Sequence, residues 1–157
     1  MVLNSVKIYG ENVGRSMRKQ YVEASGPAWE EVGHDFHLRY RPKRFTRSHA
    51  RAAGYEKRNR KYNDFKWRRF KHSNPLEKTG EVKRLVKTAR VEARLGTGQE
   101  KNRGGVKVTY RGARKLNFKT RFTKINMVAE FTHVTERETQ ELGMNFQTRF
   151  EPRFNKK

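Results

Sequence analysis

The sequence predicts a small α+β fold, in which an antiparallel sheet of three or four strands is packed by two or three helices and carries a long basic arm. Apolar and polar residues alternate over 89–95 and again over 106–110, on either side of a polar loop, which predicts two paired strands. Apolar residues at helical spacing precede residue 40 and follow residue 135, which predicts helices near both ends. All of this is expected to form one domain, residues 1–157, with the arm at about 39–80.

The positive charge of the chain is concentrated in its middle. The net charge of the whole sequence is +22. Residues 39–72 hold 14 basic and 2 acidic side chains, residues 73–129 hold 15 and 4, and both flanking regions are close to neutral. Because unscreened repulsion among these cations opposes compaction, we expect a polyanion or an acidic protein surface close to this part of the chain.

Two helices are predicted before the basic arm, after a short strand at residues 2–9. Val13, Met17 and Tyr21 recur at four-residue spacing, and the Gly-Pro pair that follows at 26–27 predicts a break, with the proline opening a second helix. Pro42 is predicted to end that helix. Its apolar stripe is formed by Trp29, Val32, Phe36 and Tyr40.

The basic arm is predicted to be mainly extended. Its aromatic residues do not follow the period of either regular element for long, so only a short helix near residues 59–70 is expected, partly packed on the body. The sequence Ser-Asn-Pro at 73–75 predicts a turn after this helix.

The C-terminal third is predicted to contain a third strand and a capped helix. Leu116, Phe118 and Phe122 face away from intervening polar residues, which indicates the strand. Residues 135–138 form a capping box, Thr-Glu-Arg-Glu, which predicts a helix start. Pro152 is predicted to end this helix. Its buried stripe is formed by Leu142, Phe146 and Phe150.

Residues that most catalytic sites require are missing. There is no cysteine and no Gly-x-Ser-x-Gly motif, and the glycine pair at 96–98 lacks the rest of a dinucleotide or P-loop signature. His34 and His37 have no third ligand at a suitable spacing and are interpreted as solvated side chains. No stretch approaches the roughly 20 apolar residues of a membrane span. We therefore predict no enzyme activity, no catalytic residue, no metal, no cofactor and no membrane contact.

Binding is the remaining role, and it is assigned to the cations and aromatic rings that alternate along the arm and to the cations of the hairpin. The cations suit phosphate or an acidic partner surface. The candidates are Arg44, Arg47, Arg51, Arg58, Arg60, Lys61, Lys66, Arg68, Arg69, Lys101, Arg103, Arg111, Arg114 and Lys115. The rings and their apolar neighbours are expected to pack against adjacent subunits. These candidates are Tyr55, Tyr62, Phe65, Trp67, Phe70, Pro75 and Leu76.

The order of several short segments carries a resemblance to a known family. The segments are Arg-Tyr-Arg-Pro-Lys-Arg-Phe at 39–45, His-Ala-Arg-Ala-Ala-Gly-Tyr-Glu-Lys-Arg at 49–58, Lys-Tyr at 61–62 and Asn-Pro-Leu-Glu-Lys-Thr-Gly at 74–80. Together they resemble the central signature of the neck and tail-completion proteins of tailed bacteriophages. Residues 130–138 and the helix after them are similar to the C-terminal segment of many such proteins. The resemblance spans roughly residues 36–150, and its motifs are short and separated by variable loops.

This resemblance implies a structural virion protein of the head-to-tail interface. The family forms small α+β subunits that assemble into a ring, here of six or twelve copies, in the host cytoplasm. Such a ring joins the portal or connector to the tail proteins around the DNA passage, and its cations can contact packaged DNA without reading sequence. The strong positive charge is not part of the family pattern, and it leaves open an alternative: a ribosomal or other sequence-neutral protein that binds RNA or DNA.

Overall fold

The computed structural model describes residues 11–95, 104–110, 115–116 and 125–156. The helices are α1 (Glu11–Asp35), α2 (Arg47–Ala52), α3 (Arg60–Phe70), α4 (Glu81–Leu85), α5 (Met127–Thr132) and α6 (Glu136–Phe154). A π-helical turn (Phe36–Tyr40) and a 3-10 turn (Arg41–Phe45) connect α1 to α2. Strands β1 (Ala89–Leu95) and β2 (Gly104–Tyr110) pair as an antiparallel sheet.

The fold is therefore a mixture of helix and strand, as predicted, with two strands among the described residues. The predicted strand at residues 2–9 lies outside the described part of the chain. The same holds for the third predicted strand beyond Leu116, which itself lies in a short helical turn. A sheet of three or four strands thus stays a prediction. None of the helices in the described residues is both long and apolar enough to cross a membrane.

The chain divides into two compact units. The first comprises residues 1–36, 90–108 and 136–157, and the second comprises residues 37–89 and 109–135. Each unit contains its own hydrophobic cluster.

The first unit is built from α1, α6 and most of the sheet. Its cluster contains Ala28, Val32 and Phe146, and the Trp29 ring stacks on Phe146 with 4.1 Å between ring centroids. Ion pairs reinforce the contact between the two helices, because Arg149 Nη2 donates to Asp35 Oδ2 at 2.5 Å. The predicted stripe of α6 faces this cluster, since Phe146 is buried in it and the half-buried Leu142 and Phe150 pack against it.

The prediction of a helix break at Gly26-Pro27 was wrong. Helix α1 continues through Pro27, although proline lacks the amide hydrogen that would bond to the carbonyl of Glu23. Ala24, Ala28 and Val32 are buried at four-residue spacing on both sides of the proline, whereas Pro27 itself is exposed. A continuous buried face compensates for the missing hydrogen bond, which lies towards solvent.

The expected end of the last helix at Pro152 was also wrong, by two residues. Helix α6 runs to Phe154, and the Phe154 ring stacks on Phe150 with 5.1 Å between centroids. Arg153 Nη2 donates to Glu31 Oε1 at 2.6 Å. These contacts with residues one turn earlier and with α1 hold the last turn in helical form beyond the proline.

The second unit contains most of the segment that was predicted to be an extended arm. Residues 39–80 include α2 and α3, which confirms the short helix expected near residues 59–70. Phe45 and Leu76 from this segment are buried with three residues from later in the chain. Those residues are Val86, Leu116 and Phe131. Phe45, together with the partly buried Tyr55 that packs against this cluster, therefore contributes to a core despite the irregular spacing of the aromatic residues in this segment.

Candidate functional site

A basic cleft of about 730 Å³ lies within the second unit, between α2, α3 and the turn at residues 73–75. Basic residues predominate among the charged side chains that line it. They are Arg47, Arg51, Lys57, Arg58 and Lys66, and we call this site the basic cleft. The acidic residue in its lining is Glu56. The remaining lining residues are small, polar or aromatic.

The chain reversal after α2 forms one wall of the basic cleft. Thr46 begins α2 by accepting a hydrogen bond from the His49 amide at 3.3 Å on its hydroxyl oxygen. Helix α2 ends at Ala52, and Gly54 adopts a left-handed conformation with φ of 66°. The Tyr55 amide then donates back to the Ala50 carbonyl at 2.9 Å. This turn brings Tyr55 and the residues after it against α2.

Arg58 is held by a carboxylate that lies 72 residues later in the chain. Its Nη1 donates to Glu130 Oε1 at 2.7 Å, and its Nη2 donates to Glu130 Oε2. The same Glu130 accepts a hydrogen bond from the Glu56 amide at 3.1 Å. Because both side chains are largely buried and the pairing is bidentate, this ion pair fixes the segment that carries Glu56 and Lys57. Arg58 therefore shapes the cleft while its own charge is balanced.

Lys66 projects from α3 into the cleft and is only 4% exposed. The ammonium group donates to the Asn74 carbonyl, and Asn74 Nδ2 in turn donates to Glu77 Oε2 at 3.2 Å. Burial lowers the pKa of Lys66 to about 8; the positive charges of Arg58 and Arg47 act in the same direction, and Glu77 opposes them. A buried ammonium held mainly by a neutral carbonyl retains donors and charge that an anion can satisfy.

The Asn-Pro-Leu-Glu-Lys-Thr-Gly segment at 74–80 forms a constrained turn. Leu76 has a φ of 53°, an uncommon conformation for a residue with a side chain, and it is buried in the core of the second unit. Gly80, with φ of 76°, precedes α4. The turn therefore has two roles, since it anchors the chain through Leu76 and presents the Asn74 carbonyl to Lys66.

Helix α3 has an unusual distribution of buried and exposed side chains. Among its 11 residues, Lys66 is the one that is buried. Tyr62, Phe65 and Trp67 are 41%, 47% and 55% exposed. The half-buried Phe70 ring contacts the Phe65 ring edge-on at 6.4 Å. The helix thus turns its aromatic rings outward and buries a cation, the reverse of an ordinary amphipathic helix.

The predicted cationic contacts are distributed unequally. Arg47, Arg51, Arg58 and Lys66 line the basic cleft, and exposed cations on α3 are Arg60, Lys61, Arg68 and Arg69. Arg44 is buried, and its Nη2 donates to the His133 carbonyl at 2.9 Å. Lys115 is paired with Glu81 at the surface. The other four, Lys101, Arg103, Arg111 and Arg114, lie outside the described residues.

The predicted interface residues also separate into groups. Tyr62, Phe65 and Trp67 are exposed on α3, whereas Leu76 is buried and Tyr55 packs on the core of the second unit. Pro75 lies in the wall of the basic cleft. Asn74 and Glu130 are not among the predicted site residues, because a backbone carbonyl and a distant carboxylate leave no local sequence pattern.

No group of three or more potential metal ligands occurs among the residues the structure describes. His34 is exposed, and the His37 ring instead packs against Tyr110 with 5.7 Å between centroids. No family model, curated protein or solved structure matches this chain.

Proposed function

We propose that the chain is a structural subunit of the head-to-tail joint of a tailed bacteriophage. Six or twelve copies form a ring around the DNA passage and join the portal or connector to the tail. The observation that carries this proposal is the reversed burial of α3, which leaves Tyr62, Phe65 and Trp67 exposed. The likeness of residues 39–80 and 130–138 to neck and tail-completion proteins supports the same reading.

Exposed aromatic rings on one short helix favour assembly over a purely electrostatic role. Each ring leaves apolar surface in water that burial against a neighbour would remove, and large aromatic residues commonly dominate the energetics of protein interfaces. The four exposed cations of α3 lie among these rings. An interface of this composition suits an assembly whose neighbours include acidic surfaces or DNA.

Substitution of Trp67 tests the assembly role of α3. We expect Trp67→Ala to weaken self-association of the purified chain by about tenfold or more, because truncating a central aromatic residue commonly costs at least about 2 kcal/mol. Arg68→Ala, a neighbouring exposed position on the same helix, is the matched control and should change association by less than about threefold. Light scattering gives the mass, negative-stain microscopy gives the ring, and circular dichroism checks folding.

Two results would contradict this assembly role. One is a wild-type chain that stays monomeric at all concentrations and also in the presence of a connector ring. The other is an equal loss of association in Trp67→Ala and Arg68→Ala, which would show that charge interactions, rather than aromatic packing, supply the association energy.

Sequence-neutral nucleic-acid binding is a second candidate, favoured by the exposed cations Arg60, Lys61, Arg68 and Arg69 on α3. Cations that contact phosphate release counterions, so each lost contact reduces the salt dependence of the affinity. If the chain binds nucleic acid through these cations, Arg68→Ala should reduce the slope of log affinity against log salt concentration, measured for RNA or duplex DNA, by about one. Copurification with ribosomal particles and no ring would favour it over the assembly role.

A further inference from the structure

The basic cleft of the second unit carries positive charge that the described residues do not fully balance. Of its five cations, Arg58 is neutralised by Glu130. Arg47, Arg51 and Lys57 form no ion pair with the described residues, and their side chains are exposed at the cleft. With Lys66 at the base and Glu56 as the acidic lining residue, the site retains a net positive charge.

The donors that line the basic cleft come from different elements. Arg47 and Arg51 lie four residues apart on α2, which places them on one helix face. Lys57 belongs to the segment fixed by the ion pair between Arg58 and Glu130, and Lys66 comes from α3. Several arginine and lysine donors at one site suit a phosphate group, because its oxygens can accept hydrogen bonds from more than one of them.

The volume of the basic cleft restricts the class of ligand that fits it. A volume of about 730 Å³ exceeds that of a bare phosphate ion and falls within the range of small-molecule sites, roughly 300–1,000 Å³. A site of this volume has room for a nucleotide or for the end of a single strand. Tyr55 and Pro75 in the lining provide apolar surface beside the cations, on which a sugar or base could rest.

We propose that the basic cleft is a phosphate-binding site whose ligand is a phosphate group carried by a nucleotide or by a single-stranded nucleic-acid end. Arg47, Arg51, Lys57 and Lys66 supply the donors. Arg58 acts as a positioning residue, because its guanidinium is engaged with Glu130. This binding does not depend on the assembly role proposed for α3.

Titration calorimetry on the full chain at low salt tests the site. The probes are inorganic phosphate, a nucleoside monophosphate, the matching unphosphorylated nucleoside, single-stranded oligonucleotides with and without a 5′-phosphate, and an acidic peptide. The cleft variant is Arg47→Gln with Arg51→Gln. The matched control is Arg84→Gln with Lys87→Gln, which removes the same charge from exposed positions in the second unit that lie outside both the cleft and α3.

The cleft variant is expected to weaken binding of the nucleoside monophosphate by about tenfold or more, and the control variant by less than about threefold. The unphosphorylated nucleoside should not bind measurably. Inorganic phosphate binding as tightly as the nucleotide would mean that the phosphate alone is recognised. Tighter binding of the phosphorylated oligonucleotide than of the mononucleotide would identify a strand end as the source.

Three outcomes would overturn the proposal. They are equal losses in the cleft and control variants, no binding of any phosphate-bearing probe, and binding of the acidic peptide at least as tightly as the nucleotide. Circular dichroism of both double variants establishes that folding is unchanged. Because the cleft positions are separate from the exposed aromatic residues of α3, a negative result for phosphate binding would not affect the assembly test with Trp67→Ala.

Discussion

Lys66 is a buried cation that both packs within the second unit and lines the basic cleft. Its ammonium lies at the base of the basic cleft, where the Asn74 carbonyl accepts a hydrogen bond and Glu77 is the nearby acid. Arg58 and Arg47 add repulsion, so burial and charge together lower the pKa of Lys66 to about 8. The ammonium is therefore charged near neutral pH, although the nearby Glu77 only partly offsets the cost of its burial and the repulsion from Arg58 and Arg47.

This low pKa predicts a specific dependence of stability on pH. The unfolded chain keeps the Lys66 proton up to about pH 10.5, whereas the folded chain releases it near pH 8. Between these values the unfolded state binds more protons, so the contribution of Lys66 to the free energy of unfolding increases with pH. Relative to Lys66→Met, the wild-type chain should gain about 2 kcal/mol between about pH 7 and pH 10.

Urea unfolding of both chains across this range measures the effect. Tyr110, whose pKa burial raises to about 12, alters stability above pH 10 in both chains and so cancels in the comparison. Parallel stability curves for wild type and Lys66→Met would show that Lys66 titrates normally.

Among the elements, α1 packs closely against the sheet at Gly33. A Cβ atom at this position would lie 2.5 Å from Val91 Cγ1 and 2.5 Å from Val106 Cγ2, so β1 and β2 leave no space for one. Gly33 is therefore required by packing, although glycine weakens the interior of a helix.

Gly33→Ala is expected to lower the free energy of unfolding by about 1–3 kcal/mol, because overpacking outweighs the gain in helix propensity. Gly26→Ala in the same helix is the control, since the nearest atom to a Cβ there is Leu95 Cδ1 at 4.0 Å. It should be neutral or slightly stabilising. Denaturant unfolding of both variants measures the effect. Equal stability of the two variants would contradict this expectation, because it would mean that β1 and β2 can move away from residue 33 at little cost in free energy.

The elements with one clear period could be predicted from sequence. The strict alternation of apolar and polar residues predicts β1 and β2, and the capping box with the apolar stripe after it predicts α6. The predicted break at Pro27 was wrong because the buried spacing of Ala24, Ala28 and Val32 outweighs the local effect of the proline. That spacing depends on packing against α6, which local sequence cannot show.

Four of the five cations of the basic cleft are among the predicted contact residues, whereas Lys57 is not, and their arrangement could not be predicted. Arg58 and Glu130 are 72 residues apart, and no local pattern joins them. The burial of Lys66 within a strongly basic helix contradicts the usual preference of lysine for solvent, so composition alone would place it at the surface. The exposed rings of α3 were predicted as interface residues from their type, and the structure adds which of them face outward.

At the scale of the whole molecule, two compact units each hold their own core, and much of the surplus positive charge belongs to the second. A chain with a net charge of +22 gains from a neighbour that supplies negative charge. In the head-to-tail role that we propose, packaged DNA or an acidic partner surface would supply that charge.

The most direct test of this role is quantitative mass spectrometry of purified virions produced by the genome that encodes the chain. We expect the protein in tailed particles at six or twelve copies per portal ring, and its deletion should yield DNA-filled heads without attached tails. Absence of the protein from virions, together with its recovery in ribosomal particles, would contradict the account.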